Sequence, residues 1–154
     1  MRKTEREIKS RAEIDAVIRQ SRVCRLGMID GPDPYIVPLC FGYDGQTLCF
    51  HCAREGRKLE ILRRNPRVCF EFDILEKMIE APAACDWGLR YRSVMGTGLA
   101  TVVEELAEKR KALALIMAQY AGDRSFTFPE EVAKRTAVFQ VKIATISGKQ
   151  SKRE

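Results

Sequence analysis

The sequence predicts a mainly β protein with flanking helices, built as an antiparallel barrel rather than a parallel doubly wound sheet. Three observations carry that expectation. Apolar and polar residues alternate with the period of two of a half-buried strand, most cleanly in RVCFEFDI (67–74). Asp44-Gly45 stands between two apolar runs, a strong short-range hairpin signal. Helical patterns are few, so most strands follow one another through turns, which favours antiparallel neighbours. The 154 residues read as one domain over 1–148 and a polar tail over 149–154, with no internal repeat and no dividing linker.

Taken in order, residues 4–20 read as a helix. Alternatively, Ser10 caps a shorter one, with Glu13 completing a capping box ahead of the stripe Ile14, Val17 and Ile18. VCRLGMID (23–30) is a strand and DGPDP the turn after it. YIVPLCFGY (35–43) is a second strand with Pro38 inside it, and TLCFHCA (47–53), beyond the Asp44-Gly45 turn, is the third. EGRKLEILRRNP (55–66) is a short helix with Leu59 and Leu62 on one side, stopped by Pro66. Residues 67–74 form the fourth strand and 75–89 read as irregular. RYRSVMGTGLATVV (90–103) is a long strand with a bend expected at Gly96 or Gly98. Residues 104–122 form the strongest helix, with Leu106, Leu113, Met117 and Tyr120 along one side and Gly122 as its C-cap. In the closing strand, 136–148, Val138, Gln140 and Lys142 alternate against Phe139, Val141 and Ile143.

The net charge of +6 invites a polyanion, but the cations are dispersed and interleaved with Glu, as in REIKSRAEID and EELAEKRKA. That pattern describes solvated helix faces, and no nucleic-acid-binding fingerprint accompanies it, so nucleic acid is not the expected partner. No apolar run approaches the ~18–20 residues that span a bilayer, so no membrane is expected either. The N-terminus is basic without the apolar core of a signal peptide, which points to the cytoplasm and to six reduced cysteines.

The stretch CFHCAREGRK (49–58) gathers the chemistry: Cys49 and Cys52 in C-x-x-C spacing, the chain's single histidine His51, and a basic cluster. A zinc site needs a fourth ligand, and no second knuckle is present. On a strand, Cys49 and His51 share one face while Cys52 points to the other, which splits the trio. A redox dithiol works from a helix N-terminus beside a parallel strand, and this pair ends a strand in an antiparallel context. The third reading is an anion cradle. Arg57 and Lys58 fall in the first turn of a helix, where cations oppose the macrodipole unless an anion sits there. Arg54, Arg63, Arg64 and Arg67 make the whole region basic, so a merely solvated turn stays open beside the cradle. Pro38 removes a ladder hydrogen bond, which suits either a ligand edge at Val37 and Leu39 or an ordinary edge strand.

YIVPLCFGYDGQTLCFHCAREGRKLEILRRNPRVCFEFD and ACDWGLRYRSVMGTGLATVVEELAEKRKALALIMAQYAG together resemble the FMN-binding split-barrel family related to pyridoxamine 5′-phosphate oxidase. The resemblance is greatest to its nitroimidazole-resistance branch and covers residues 5–148. It implies a six-stranded antiparallel split barrel of the FMN-binding type, working as a homodimer with FMN in two grooves at the interface. Carried over by position, Val37, Pro38 and Leu39 are expected along the isoalloxazine ring. His51, Cys52 and Ala53 would border the ribityl chain and phosphate, and Lys58 with Arg57 would bind the phosphate. Trp87, Tyr91, Arg92 and Ser93 are expected from the partner subunit. Trp87 could equally cap the barrel core, and Arg90 and Arg92 could simply pair with carboxylates. Cys52 stands where the family often has Ser or Thr, and a thiol is a poorer hydrogen-bond partner for phosphate.

The function implied is an FMN-dependent oxidoreductase that reduces a small-molecule electron acceptor such as a nitro compound, with His51 as the catalytic candidate. The alternative is a non-catalytic flavin carrier or sensor. The ending FQVKIATISGKQSKRE lacks the RLAP-like close expected of a true pyridoxamine phosphate oxidase.

Overall fold

A computed structural model describes residues 4–151. After a single 3-10 turn at Thr4–Arg6 come β1 (Glu7–Ile8), α1 (Arg11–Gln20), β2 (Cys24–Asp30), β3 (Asp33–Leu39), β4 (Gly42–Tyr43) and β5 (Thr47–Cys52). They are followed by α2 (Arg57–Arg64), β6 (Arg67–Ile79), β7 (Gly88–Val103), α3 (Leu106–Ala121), α4 (Glu130–Arg135) and β8 (Ala137–Gln150). Six long strands and two two-residue strands make one antiparallel sheet in the order β3-β2-β6-β7-β8-β5-β4, with β1 added to β8. The two edges, β3 and β4, do not pair with each other, so the sheet curls into an unclosed barrel.

Alternation along the strands fills the inside. Leu26 and Met28 of β2, Phe70 and Phe72 of β6, Val94 of β7, Phe139 and Val141 of β8, and Leu48 and Phe50 of β5 all belong to one buried cluster. Phe50 and Phe139 stack with ring centroids 5.0 Å apart across the β5–β8 pair. Gly96 is required here, because a Cβ at that position would overlap the Phe70 ring and the Thr145 carbonyl. The β7–β8 register slips between Thr97 and Gly98, inside the segment where a bend was expected.

Helix α1 packs Ile14, Val17 and Ile18 into the same core, against β6 and β7. Ser10 is its N-cap, accepting a hydrogen bond from the Glu13 N–H at 3.4 Å, so the shorter of the two helices expected from the sequence is the one that forms. Helix α3 lies against the outer side of β4 and β5, so close that a Cβ on Gly42 would strike the backbone at Leu115 and Ile116.

The structure corrects several expectations. Residues 35–43 are two strands: Cys40 and Phe41 leave the ladder because the Phe41 N–H donates to the Tyr120 hydroxyl at 3.0 Å. That hydroxyl in turn donates to the Arg22 carbonyl at 2.9 Å. Residues 75–79, expected to be irregular, extend β6 and pair with the start of β7 in a long hairpin. The buried stripe of α3 is Lys109, Ala112, Leu113 and Ile116, rotated from the side expected, with Leu106 and Tyr120 packing at its margins. Val138, placed by alternation on a polar face, is buried because α3 covers that face. The closing strand continues through Lys149 and Gln150, which pair with Ser93 and Arg92. The short helix α4 was not foreseen.

Candidate functional site

The basic turn is built around Gly56. Its φ of 134° and ψ of 160° belong to a region that side chains other than glycine's rarely enter, and the space where a Cβ would stand is open. No side chain caps α2. Its first N–H groups therefore open outward at the positive end of the helix.

Lys58 is half-buried just inside this end and has no ion-pair partner among the described residues. Burial raises the Cys52 thiol above its ordinary pKa, and the nearby Lys58 charge pulls it partly back. Cys52 itself points into the barrel and packs against the main core. His51 and Cys49 lie on the other side of β5, in register with Val138 and Gln140. Cys49 is buried beneath α3, while His51 is exposed and makes no hydrogen bond among the described residues. The alternation thus separates the three side chains of the C-x-x-C stretch as the sequence suggested. Among the described residues no cluster of three or more His, Cys, Asp or Glu has the makings of a metal site. Ala53 is exposed in the loop between β5 and α2.

Arg57 points elsewhere. Its Nε donates to Asp30 Oδ2 at 2.8 Å, and its guanidinium lies 4.6 Å from the centroid of the Tyr35 ring. Arg64 Nη2 donates to the other oxygen of Asp30 at 2.7 Å. This double engagement, Arg57 foremost, holds the Asp30 carboxyl below the usual carboxylate range. It also pins α2 to the β2–β3 turn. Further along β3, Tyr35, Val37 and Leu39 turn toward the core, while Ile36 and Pro38 face out. Pro38 stands opposite Arg25, and β3 pairs only with β2, so the proline sits on an edge strand. Val37, Leu39 and Cys52 all pack against the main core.

The remaining candidates lie far along β7 from the level of His51. Arg92 sits at the other end of β7, its Nε donating to Glu76 at 2.5 Å and its Nη2 to Gln20 at 2.9 Å. Tyr91 receives the Lys149 ammonium over its ring and donates its N–H to Ser151 Oγ at 3.3 Å. Ser93 borders a shallow hollow of about 310 Å³ with Met95, Ser147 and Lys149. Trp87, 52% exposed, donates its Nε1–H to the Ala81 carbonyl at 2.7 Å at the tip of the β6–β7 hairpin. His51 aligns through Val138 with Val103, ten residues along β7 from Ser93. Ten residues of strand measure about 33 Å. Within one subunit His51 and Ser93 are therefore not neighbours.

A feature not anticipated from the sequence lies on the outer face of β2, β3, β6 and β7. Gly27, Ile29, Ile36, Cys69 and Leu99 line an apolar groove of about 810 Å³. Ile36 is 64% exposed, Leu99 54% and Ile29 52%. The signal was present: these are outward positions on strands whose inward partners are already apolar, where a solvated face would be polar.

An unclosed antiparallel sheet with flanking helices is the split-barrel class of fold. The match to known proteins agrees. A family model described as pyridoxamine 5′-phosphate oxidase matches residues 10–150, and the chain belongs to that family. It is similar to a Bacteroides thetaiotaomicron protein described as a candidate 5-nitroimidazole antibiotic resistance protein. The two are 32% identical, with 94% of this chain and 86% of that one covered and a TM-score of 0.85. The fold is also shared with a FAD and haem binding protein from Mycobacterium smegmatis, at 19% identity, 96% and 74% coverage and a TM-score of 0.87. A FAD-binding protein from Mesorhizobium loti shares it too, at 22% identity, 96% and 98% coverage and a TM-score of 0.71. Among curated proteins, RA0666 of Rhizobium meliloti is 32% identical over 65 residues, and the match spans 42% of each chain. Among the described residues no helix is long and apolar enough to cross a membrane.

Proposed function

We propose that the protein is a homodimeric, cytoplasmic FMN flavoprotein that passes electrons to a small acceptor. The observation that carries the reading is the turn at Gly56: an uncapped helix start, open above the glycine, with Lys58 beside it and no counter-ion for it among the described residues. A phosphate meets there both a helix N-terminus and a charge-assisted donor. In this reading Lys58 is the principal phosphate ligand and Arg57, engaged by Asp30, frames the cradle. Val37, Pro38 and Leu39 line the ring, and Cys52 and Ala53 border the ribityl chain.

The separation of Trp87, Tyr91, Arg92 and Ser93 from this cradle favours a two-fold partner. Their counterparts in the second subunit would complete each site, with the apolar outer groove buried between the copies. The six unpaired cysteines fit a reducing compartment. When bound, the flavin supplies hydride and electron transfer, with the protein setting orientation and excluding water. Trp87 would shield the ring, and the His51 imidazole, open on β5, would hand a proton to the reduced acceptor. Nitro compounds are the first acceptors to test, given the likeness to the Bacteroides protein.

The test is the visible spectrum of purified protein with and without added FMN, together with its mass in solution. Flavin bands on a dimer support the reading; a colourless protein that ignores FMN ends it. Lys58→Ala should weaken FMN binding by ~1.5–3 kcal/mol, the scale of a charge-assisted hydrogen bond, measured by flavin fluorescence quenching. His51→Ala should keep the fold and the flavin yet slow acceptor turnover; unchanged turnover with every acceptor would make His51 a wall residue.

A further inference from the structure

The two sides of α2 differ in how their charges are satisfied. Arg57 and Arg64 share Asp30 on one side. On the other, Leu59 and Arg63 border a polar cavity of about 470 Å³, completed by Arg54, Glu55, Glu104 at the end of β7, and Lys109 of α3. Lys109 is 9% exposed, and among the described residues its Nζ makes one hydrogen bond, a long 3.4 Å donation to the Thr136 carbonyl. An ammonium carries three donors, and burying one without a counter-ion is costly. Packing alone would be served better by an apolar side chain here. Arg54 and Arg63 likewise have no ion pair among the described residues, and neither Glu55 nor Glu104 pairs with any of the three cations.

We infer that this cavity is a second anion site, taking the phosphate group of a small-molecule ligand on Lys109, Arg63 and Arg54. Arg54, Arg63 and Lys109 all line a space large enough for a phosphate, and the Lys109 ammonium would gain the counter-ion it lacks among the described residues. Two glutamates on the same lining leave a net charge of only +1, counting Arg54, Arg63 and Lys109 against Glu55 and Glu104. That balance suits a compact anion and disfavours a long polyanion. The site stands on its own residues and does not require the flavin reading, although Arg54 and Glu55 directly precede the Gly56 cradle.

The experiment is an amide-resolved NMR titration with inorganic phosphate at constant ionic strength. Saturable shifts are expected at Val103, Glu104 and Lys109. The apparent affinity should fall tenfold or more in Lys109→Met, and several-fold in Arg63→Gln, whose exposed side chain leaves the fold untouched. Absence of shifts at those three amides, or affinities unchanged in both variants, overturns the proposal. Shifts confined to Gly56, Arg57 and Lys58 overturn it too while supporting the flavin cradle, so the two readings fail separately. Repeating the titration with FMN, FAD and NADPH identifies the source of the phosphate as the ligand whose binding falls tenfold in Lys109→Met. If none does, free phosphate is the occupant.

Discussion

The outer face of the sheet has two halves that solve the same problem differently. Over β5 and β8, the outward side chains Cys49 and Val138 are buried beneath Ala112, Leu113 and Ile116 of α3 and Ala133 of α4. Over β2, β3, β6 and β7, the outward side chains Ile29, Ile36 and Leu99 are equally apolar, yet among the described residues no helix covers them. Apolar outward residues therefore mark a face that is to be covered, and the source of the cover differs: the chain's own helices in one half, a second copy in our reading of the other. The apolar patch is of the kind that monomeric proteins rarely leave open.

Substitutions can break this contrast at either end. Ile116→Ala, on the covered half, should cost ~2–5 kcal/mol of stability, the range for emptying a buried aliphatic site, measured by denaturant unfolding. A cost below that range would mean that α3 rests only loosely on the sheet. Alkaline pH acts on the same half with a smaller effect. Burial, helped by the Asp44 charge, pushes the Cys49 thiol from 9.0 up to about 11. The folded state holds a proton that the unfolded chain releases, so this contribution is complete below pH 9.0 and lost as pH rises through about 11. The loss is on the order of 2 kcal/mol, and Cys49→Ala should flatten that part of the pH–stability curve. On the bare half, Leu99→Asp should leave the stability of a single subunit within about 0.5 kcal/mol, since the side chain is exposed. Its effect should appear in assembly: sedimentation should find a monomer, against the dimer proposed for the unaltered chain. A dimer that survives the aspartate would remove this groove from the interface.

The sequence was most legible where structure is decided within a few residues. Alternation located all six long strands, Asp44-Gly45 its hairpin, Ser10 the cap of α1 and Gly122 the end of α3. It failed where a distant group decides. The break at Cys40 and Phe41 depends on a tyrosine hydroxyl 79 residues away in sequence. The burial of Val138 depends on where α3 docks. The same divide runs through the site. That a helix starts after Gly56 with Lys58 in its first turn could be read from the neighbouring residues alone. That Arg57 would instead engage Asp30, 27 residues earlier, could not. Nor could the distance between His51 and Ser93, which only the register of β5, β8 and β7 reveals.

Strand β7 also constrains how this molecule can change length. Its sixteen residues, Gly88–Val103, run from the Trp87 hairpin tip to the cavity beside α2, paired on both sides over the middle half, residues 92–99. Adding or deleting one residue in its middle would turn every later side chain to the opposite face and shift one end of the molecule relative to the other. Insertions belong instead at residues 80–87, beyond the paired part of the hairpin, where the chain can grow without disturbing the ladder. For anyone grafting a tag, a reporter or a new loop into this scaffold, β7 is the ruler to leave uncut.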